Sequence, residues 1–171
     1  TGAVRGTRTE AYQYEQVRGC GPDPRVAGVV VDGVCISGGQ DDPLVATDAS
    51  TRAMLWTAPD AHPVYDDIWA IGDGAVYLID NRQAALIGYE LRTGHERWRR
   101  SVVPYRSGWP WIVEDDVVYC IWNNLTLVST RDGHTIWRTD YPDAEYPRLT
   151  DVAPTATAVV VAFSDVASCD D

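Results

Sequence analysis

"TGHERWRR" (Thr93–Arg100) and "DGHTIWRT" (Asp132–Thr139) lie 39 residues apart and share a turn pair, then Gly-His or its equivalent, two residues and a Trp. Self-similarity at a period of about 20–50 residues marks a fold assembled from copies of one supersecondary unit. Aligning on tryptophan adds a third copy, "STRAMLWT" (Ser50–Thr57), and the steps Trp56 to Trp98 and Trp98 to Trp137 are 42 and 39 residues. Ala53 stands in the first copy where His95 and His134 stand in the others, so the histidines are incidental. What recurs is the Trp in all three and the glycine, Gly94 and Gly133, in two.

Upstream of each Trp the same grammar repeats. Asp32-Gly33, Asp73-Gly74 and Asp115-Asp116 each sit between two short β-branched and aromatic runs, which is a hairpin signal. A second polar turn follows at Gly38 to Pro43, Asn81 to Gln83 and Asn123-Asn124, then a third apolar run, then the turn that precedes the Trp. Each unit reads as four short antiparallel strands. No dozen residues sustain apolar positions at helical spacing behind a cap, so the chain is all-β. A meander of about 40 residues cannot bury both faces alone, and radial stacking of copies gives a propeller. A two-sheet sandwich also spaces strands regularly, but here residue identity recurs as well as period.

The units run approximately over 26–58, 67–100 and 111–139, with a partial one at 149–165 that residues 1–18 would complete. "PTATAVVVAFSD" (Pro154–Asp165) opens that fourth unit, and either "TGAVRG" (Thr1–Gly6), as the end of a motif with Gly6 in the Trp position, or "EAYQYEQV" (Glu10–Val17) supplies the outer strand. About four blades result, in one domain of 1–171: a self-closing ring, a piece of a larger ring, or a half completed by a second copy.

At this point the residues resemble a family. "GYELRTGHERW" (Gly88–Trp98) fits the eleven-residue pattern A-x-D-x-x-T-G-x-x-x-W of pyrroloquinoline-quinone-like β-propeller repeats, with Gly88 for the Ala and Glu90 for the Asp. "LVSTRDGHTIW" (Leu127–Trp137) keeps the Gly and Trp, and "ATDASTRAMLW" (Ala46–Trp56) keeps Ala46, Asp48, Thr51 and Trp56 but has Arg52 for the Gly. A turn glycine permits positive φ, and the Trp offers a flat apolar face with one N–H donor to fill the seam between sheets. Arg52 in the glycine position predicts a distorted turn in the first unit. The resemblance implies either a quinoprotein dehydrogenase, with quinone and calcium near the axis, or a non-catalytic exported propeller that presents loops to partners. The dehydrogenases use a disulfide between adjacent cysteines and a catalytic Asp with Glu and Asn ligands, none of which maps onto a motif in this sequence.

The net charge of −11, from 14 Lys+Arg that are all Arg against 25 Asp+Glu, repels phosphate backbones, so no nucleic-acid partner is expected. No apolar run approaches a membrane span; the longest is "TAVVVAF" (Thr157–Phe163). Without an initiator Met or a basic-then-apolar leader, Thr1 is expected to be a processing boundary, with any membrane anchor upstream of it. Cys20, Cys35, Cys120 and Cys169 lack paired zinc spacings and are expected to form disulfides in an oxidising compartment. Of the three connectivities, Cys20 with Cys35 and Cys120 with Cys169 requires the shortest loops.

No catalytic, cofactor or metal residue emerges. His62, His95 and His134 form no pair with metal spacing. The carboxylate clusters at Asp41-Asp42, Asp66-Asp67, Glu114 to Asp116 and Asp170-Asp171 lie in predicted turns without the alternation of a calcium loop. There is no G-x-S-x-G elbow and no phosphate loop, and the sequon Asn124-Leu125-Thr126 reads as a turn. The candidate binding face is instead the three crossovers between units, "DAHPVYDDIW" (Asp60–Trp69), "YRSGWPWI" (Tyr105–Ile112) and "DYPDAEYPRL" (Asp140–Leu149). They place Tyr65, Trp69, Tyr105, Trp109, Trp111, Tyr141 and Tyr146 on one side of the ring, in the aromatic, Arg and Pro company of interface hot spots. The expectation is an extracytoplasmic, non-catalytic propeller that binds a protein or ligand there, with no cofactor. The alternatives are a partial or degenerate quinoprotein dehydrogenase taking quinone and calcium, and the extracellular sensor of an anchored protein.

Overall fold

The computed structural model describes residues 16–18, 20, 27–38, 42–62, 69–80, 82–102, 110–113, 116–121, 124–140, 148–154 and 159–164. Its strands are β1 (Gln16–Arg18), β2 (Ala27–Val31), β3 (Val34–Ser37), β4 (Leu44–Asp48) and β5 (Met54–Ala58), then β6 (Trp69–Gly72), β7 (Ala75–Asp80), β8 (Ala85–Glu90) and β9 (Glu96–Ser101), then β10 (Trp111–Val113), β11 (Asp116–Ile121), β12 (Asn124–Ser129) and β13 (Thr135–Asp140), and finally β14 (Arg148–Pro154) and β15 (Val159–Ser164). No helix occurs among the described residues. The strands form sheets in the orders β1-β2-β3-β4-β5, β6-β7-β8-β9, β10-β11-β12-β13 and β14-β15, with every neighbour antiparallel. These are the blades of a β-propeller of about four blades. Their first strands come together: β10 lies beside β6 on one side and β14 on the other.

Two features depart from the sequence reading. Gln16–Arg18 do not pair with the β14–β15 sheet; they add a fifth strand to the first sheet, with Gln16 opposite Val29 and Arg18 opposite Ala27. The short connection to β2 and the Cys20–Cys35 disulfide keep this segment local; residues 1–15 lie outside the described residues. The sequon is also displaced from its expected turn, because Asn124 already pairs with Ile121 and opens β12.

The third strand of each full blade carries the same irregularity where it faces the fourth. Register shifts fall between Ala46 and Thr47, Gly88 and Tyr89, and Leu127 and Val128, and the residue before each shift lies opposite Trp56, Trp98 or Trp137. A bulge of this kind re-aims side chains and increases twist. Here it sets the angle at which the Trp leaves its sheet.

The core lies between blades. Val34, Ile36, Leu44, Ala46 and Trp56 of the first blade meet Ile71, Val76, Leu78, Ile87 and Tyr89 of the second. Tyr77, Ile79, Leu86 and Trp98 on the other face of the second blade meet Val117, Tyr119 and Val128 of the third. Strand β7 is therefore buried along its whole length, with alternate side chains serving opposite seams. Each large side chain so buried stabilises by about 1.5–3 kcal/mol.

Candidate functional site

Both ends of the blades are tied by backbone hydrogen bonds. At one end the turn before the Trp strand bonds to the first hairpin turn of its own blade, Ala49 N to Gly33 O at 2.9 Å and Leu91 N to Gly74 O at 2.8 Å. At the other end the crossovers meet the second hairpin turns, through Leu44 N to Ala61 O at 3.1 Å and Val102 N to Ala84 O at 2.8 Å.

The Trp motif works between blades, not within one. Trp56 Nε1 donates to Leu91 O at 2.9 Å, and its ring covers Gly94, where an added Cβ would lie 2.5 Å from Trp56 Cγ. Trp98 repeats this one blade on, donating to Thr130 O at 2.7 Å and covering Gly133, where a Cβ would lie 2.8 Å from the ring. Both glycines also have positive φ, 67° and 69°. Trp137 is half-buried and Ile136 beside it is exposed.

Arg52 corrects the sequence reading. Its turn is not distorted: φ is 63°, and Arg52 N donates to Asp48 O at 2.8 Å, as Gly94 N does to Glu90 O and Gly133 N to Ser129 O, both at 2.9 Å. The left-handed backbone of a non-glycine residue costs about 1–2 kcal/mol. Asp48 offsets this through one carboxylate oxygen, which accepts from Ser50 N at 3.0 Å, Thr51 N at 2.8 Å and both hydroxyls. Those bonds, led by the Ser50 hydroxyl, hold the Asp48 carboxyl well below its ordinary range.

In the second blade the longer Glu90 reaches Arg97 instead, and Arg97 also meets Asp73 at 2.9 Å and Tyr77 Oη at 3.3 Å. The Glu90 bond, with Asp73 behind it, keeps the guanidinium more firmly charged than an ordinary Arg. Arginines bridge blades as well: Arg92 donates to Asp32 O at 2.5 Å, and Arg100 to Tyr119 Oη at 3.0 Å and Gly133 O at 3.2 Å.

On the crossover end the structure reveals a residue the sequence reading passed over. Asp80, fully buried at the end of β7, accepts from His62 N at 3.0 Å, Gln83 N at 3.0 Å and Gln83 Nε2 at 2.9 Å. Gln83 Nε2 also donates to Asp60 O, and Arg99 donates to Gln83 Oε1 while pairing with Glu96 at 2.7 Å. The Arg99 hydrogen bond lowers the Glu96 pKa, and burial raises that of Tyr89 nearby. One carboxylate thus holds the crossover from the first blade against a turn of the second. Its only sequence signal is an Asp closing an apolar run three residues before a Gln, as in a local cap.

Of the expected binding face, Trp69 opens β6 and Trp111 opens β10, so both stand at the crossover end of their blades. Tyr65, Tyr105, Trp109, Tyr141 and Tyr146 lie outside the described residues. Cys20 and Cys35 form a disulfide, with their Cα atoms 5.8 Å apart. Cys120 lies on β11 and Cys169 lies outside the described residues. Among the described residues no three His, Cys, Asp or Glu side chains gather at metal-holding distance, and the Cys20–Cys35 disulfide joins residues 15 apart in sequence.

The fold recurs in solved structures. BamB from Moraxella catarrhalis superposes with a TM-score of 0.62 at 16% identity, over 81% of this chain and 42% of that one. A europium-containing methanol dehydrogenase gives 0.53 at 17% identity, over 71% and 26% of the chains. Quinohemoprotein alcohol dehydrogenase ADHIIG from Pseudomonas putida HK5 gives 0.52 at 22%, over 74% and 22%. The chain therefore spans less than half the length of these structures. No curated protein matches it in sequence. The model of the family described as outer membrane protein assembly factor BamB matches residues 2–100 and 44–167, and the chain belongs to that family of pyrroloquinoline-quinone-like propeller repeats.

Proposed function

We propose that this chain is an extracytoplasmic, non-catalytic propeller module that docks a protein partner on its crossover face and needs no cofactor. The observation that carries the reading is the family match, which spans nearly the whole chain and is described as that of an assembly factor. The buried Cys20–Cys35 disulfide suits an oxidising compartment. Aromatic, Pro and Arg residues gathered on the crossovers suit a protein hot spot, and the Asp80 clamp supplies the rigidity that lowers the entropic cost of docking. Among the described residues no helix is long and apolar enough to cross a membrane.

The test places a photo-crosslinking residue at Tyr105 or Trp109, and at Arg92 on the opposite end, in the full-length protein inside its own cell. Discrete protein adducts are expected from the crossover positions and none from Arg92. Adducts from Arg92 alone would overturn the docking face. Separately, saturating quinone and calcium are expected to leave the melting temperature unchanged, whereas a ligand at 100 times its Kd adds about 2.7 kcal/mol. A bound chromophore with a clear thermal shift would replace this reading by the dehydrogenase one.

A further inference from the structure

The two faces of the first blade are closed in different ways. Toward the second blade Trp56 is seated on Gly94. Along β3, Val34 and Ile36 face that seam, so Cys35 between them points to the other side. There the chain's own Cys20 closes the face: its sulfur is bonded to Cys35, and its carbonyl accepts from Thr47 Oγ1 at 2.8 Å. The bridge passes over β2 at Gly28, where a Cβ would lie 2.5 Å from Cys20 Sγ and 2.7 Å from the Ile36 carbonyl oxygen. Cys20, Cys35, Ser37, Val45 and Thr47 are all buried.

The seat for a docked indole is also altered on this side. Arg52 has the backbone of Gly94 and Gly133, and at both glycines a Cβ would collide with the seated ring. Arg52 carries that Cβ and is exposed, so no indole can sit there as it does at the next two seams.

We infer that the Cys20–Cys35 disulfide, which ties the segment after β1 across β2 to β3 within one sheet, makes the outer face of the first blade a redox-controlled surface. A dithiol delivers two electrons and two protons to the bridge, leaving two cysteine thiols and a cyclic disulfide of the reductant. Among the described residues, what then holds Cys20 in place is the Thr47 bond and the pairing of β1 with β2. The face lined by Gly28, Cys35 and Thr47 opens, while among the described residues the seams closed by Trp56 and Trp98 carry no disulfide.

Hydrogen exchange on the oxidised protein, the dithiol-reduced protein and a Cys20→Ser/Cys35→Ser variant tests this. Amides of β1 to β3 are expected to exchange about tenfold faster or more once the bridge is broken, with β7, β8 and β12 changed by less than about twofold. Iodoacetamide is expected to label Cys20 and Cys35 after reduction but not before. Unchanged exchange in β1 to β3 would overturn the inference, and so would an equal rise in every sheet, which would make the bridge a global stabiliser. Should the serine variant fail to fold, the reduced natural sequence decides alone.

Discussion

Glycine at the turn before the Trp has two jobs, and the residues around it separate them. Positive φ is one, and Arg52 meets it at a tolerable cost with Asp48 behind it. Room for the neighbouring indole is the other, and only the absence of a side chain meets it. Gly94→Ala combines left-handed strain with overpacking and is expected to cost about 2–4 kcal/mol in urea unfolding. Arg52→Gly is expected to change stability by less than about 1 kcal/mol, because relief of strain is offset by the entropy of a more flexible unfolded chain. The two departures of the second copy also have causes. Gly88 replaces Ala because Tyr77 Cε1 would lie 2.9 Å from a Cβ, and Glu90 replaces Asp because it reaches Arg97. Asp80→Ala strands the part-buried donors of His62 and Gln83, with an expected loss of about 2 kcal/mol in the same assay. Beyond the Gln three residues on, nothing in the sequence distinguishes Asp80 from the solvated turn acids, since its other partner is His62 on the crossover 18 residues earlier.

At the scale of elements, the Trp56 and Trp98 strands each lock onto the next blade. Trp98 buries its ring on Gly133, stacks on Tyr77 at 5.5 Å and spends its one donor on Thr130. Trp98→Ala is expected to cost about 3–5 kcal/mol. It should also uncouple the third blade, so that hydrogen exchange in β11 and β12 rises well above that in β3 and β4. A uniform rise would mean that the seams do not carry the coupling. The four-strand unit and the hairpin turns were legible in the sequence because they depend on local chemistry: Asp-Gly turns, alternation and β-branched runs. That Trp56 belongs energetically to the second blade and Trp98 to the third was not, since a period states that units repeat but not which partner each one grips.

Across the whole molecule, an acidic chain is held by carboxylates in defined hydrogen bonds. Asp48, Asp132 and Glu96 all have pKa values lowered from ordinary ones of 3.8, 3.8 and 4.5, through the Ser50 hydroxyl, His134 and Arg99 respectively. A carboxyl whose folded pKa is depressed favours the folded state above its unfolded pKa and loses that contribution as the pH falls toward its folded one. These three groups therefore contribute no pH dependence between 7 and about 5.5, and stability is expected to decline from about pH 4.5 downward. Urea midpoints measured across that range check it, and Asp48→Asn should make the acid limb shallower; an unaltered limb would mean that the Asp48 bonds are not kept in solution. The sequence by itself determined the all-β class, the blade as a unit and the tryptophans as its mark, because turn propensity and alternation act over a few residues, while it left three disulfide connectivities open, of which the structure shows Cys20–Cys35. Only the tertiary structure decided that β1 joins the first sheet, that Arg52 keeps the glycine turn, that Asp80 clamps a crossover and that Trp56 and Trp98 each seat on a glycine of the next blade. Those outcomes depend on which faces meet and how much room lies between them, and that is settled by packing between residues far apart in the chain.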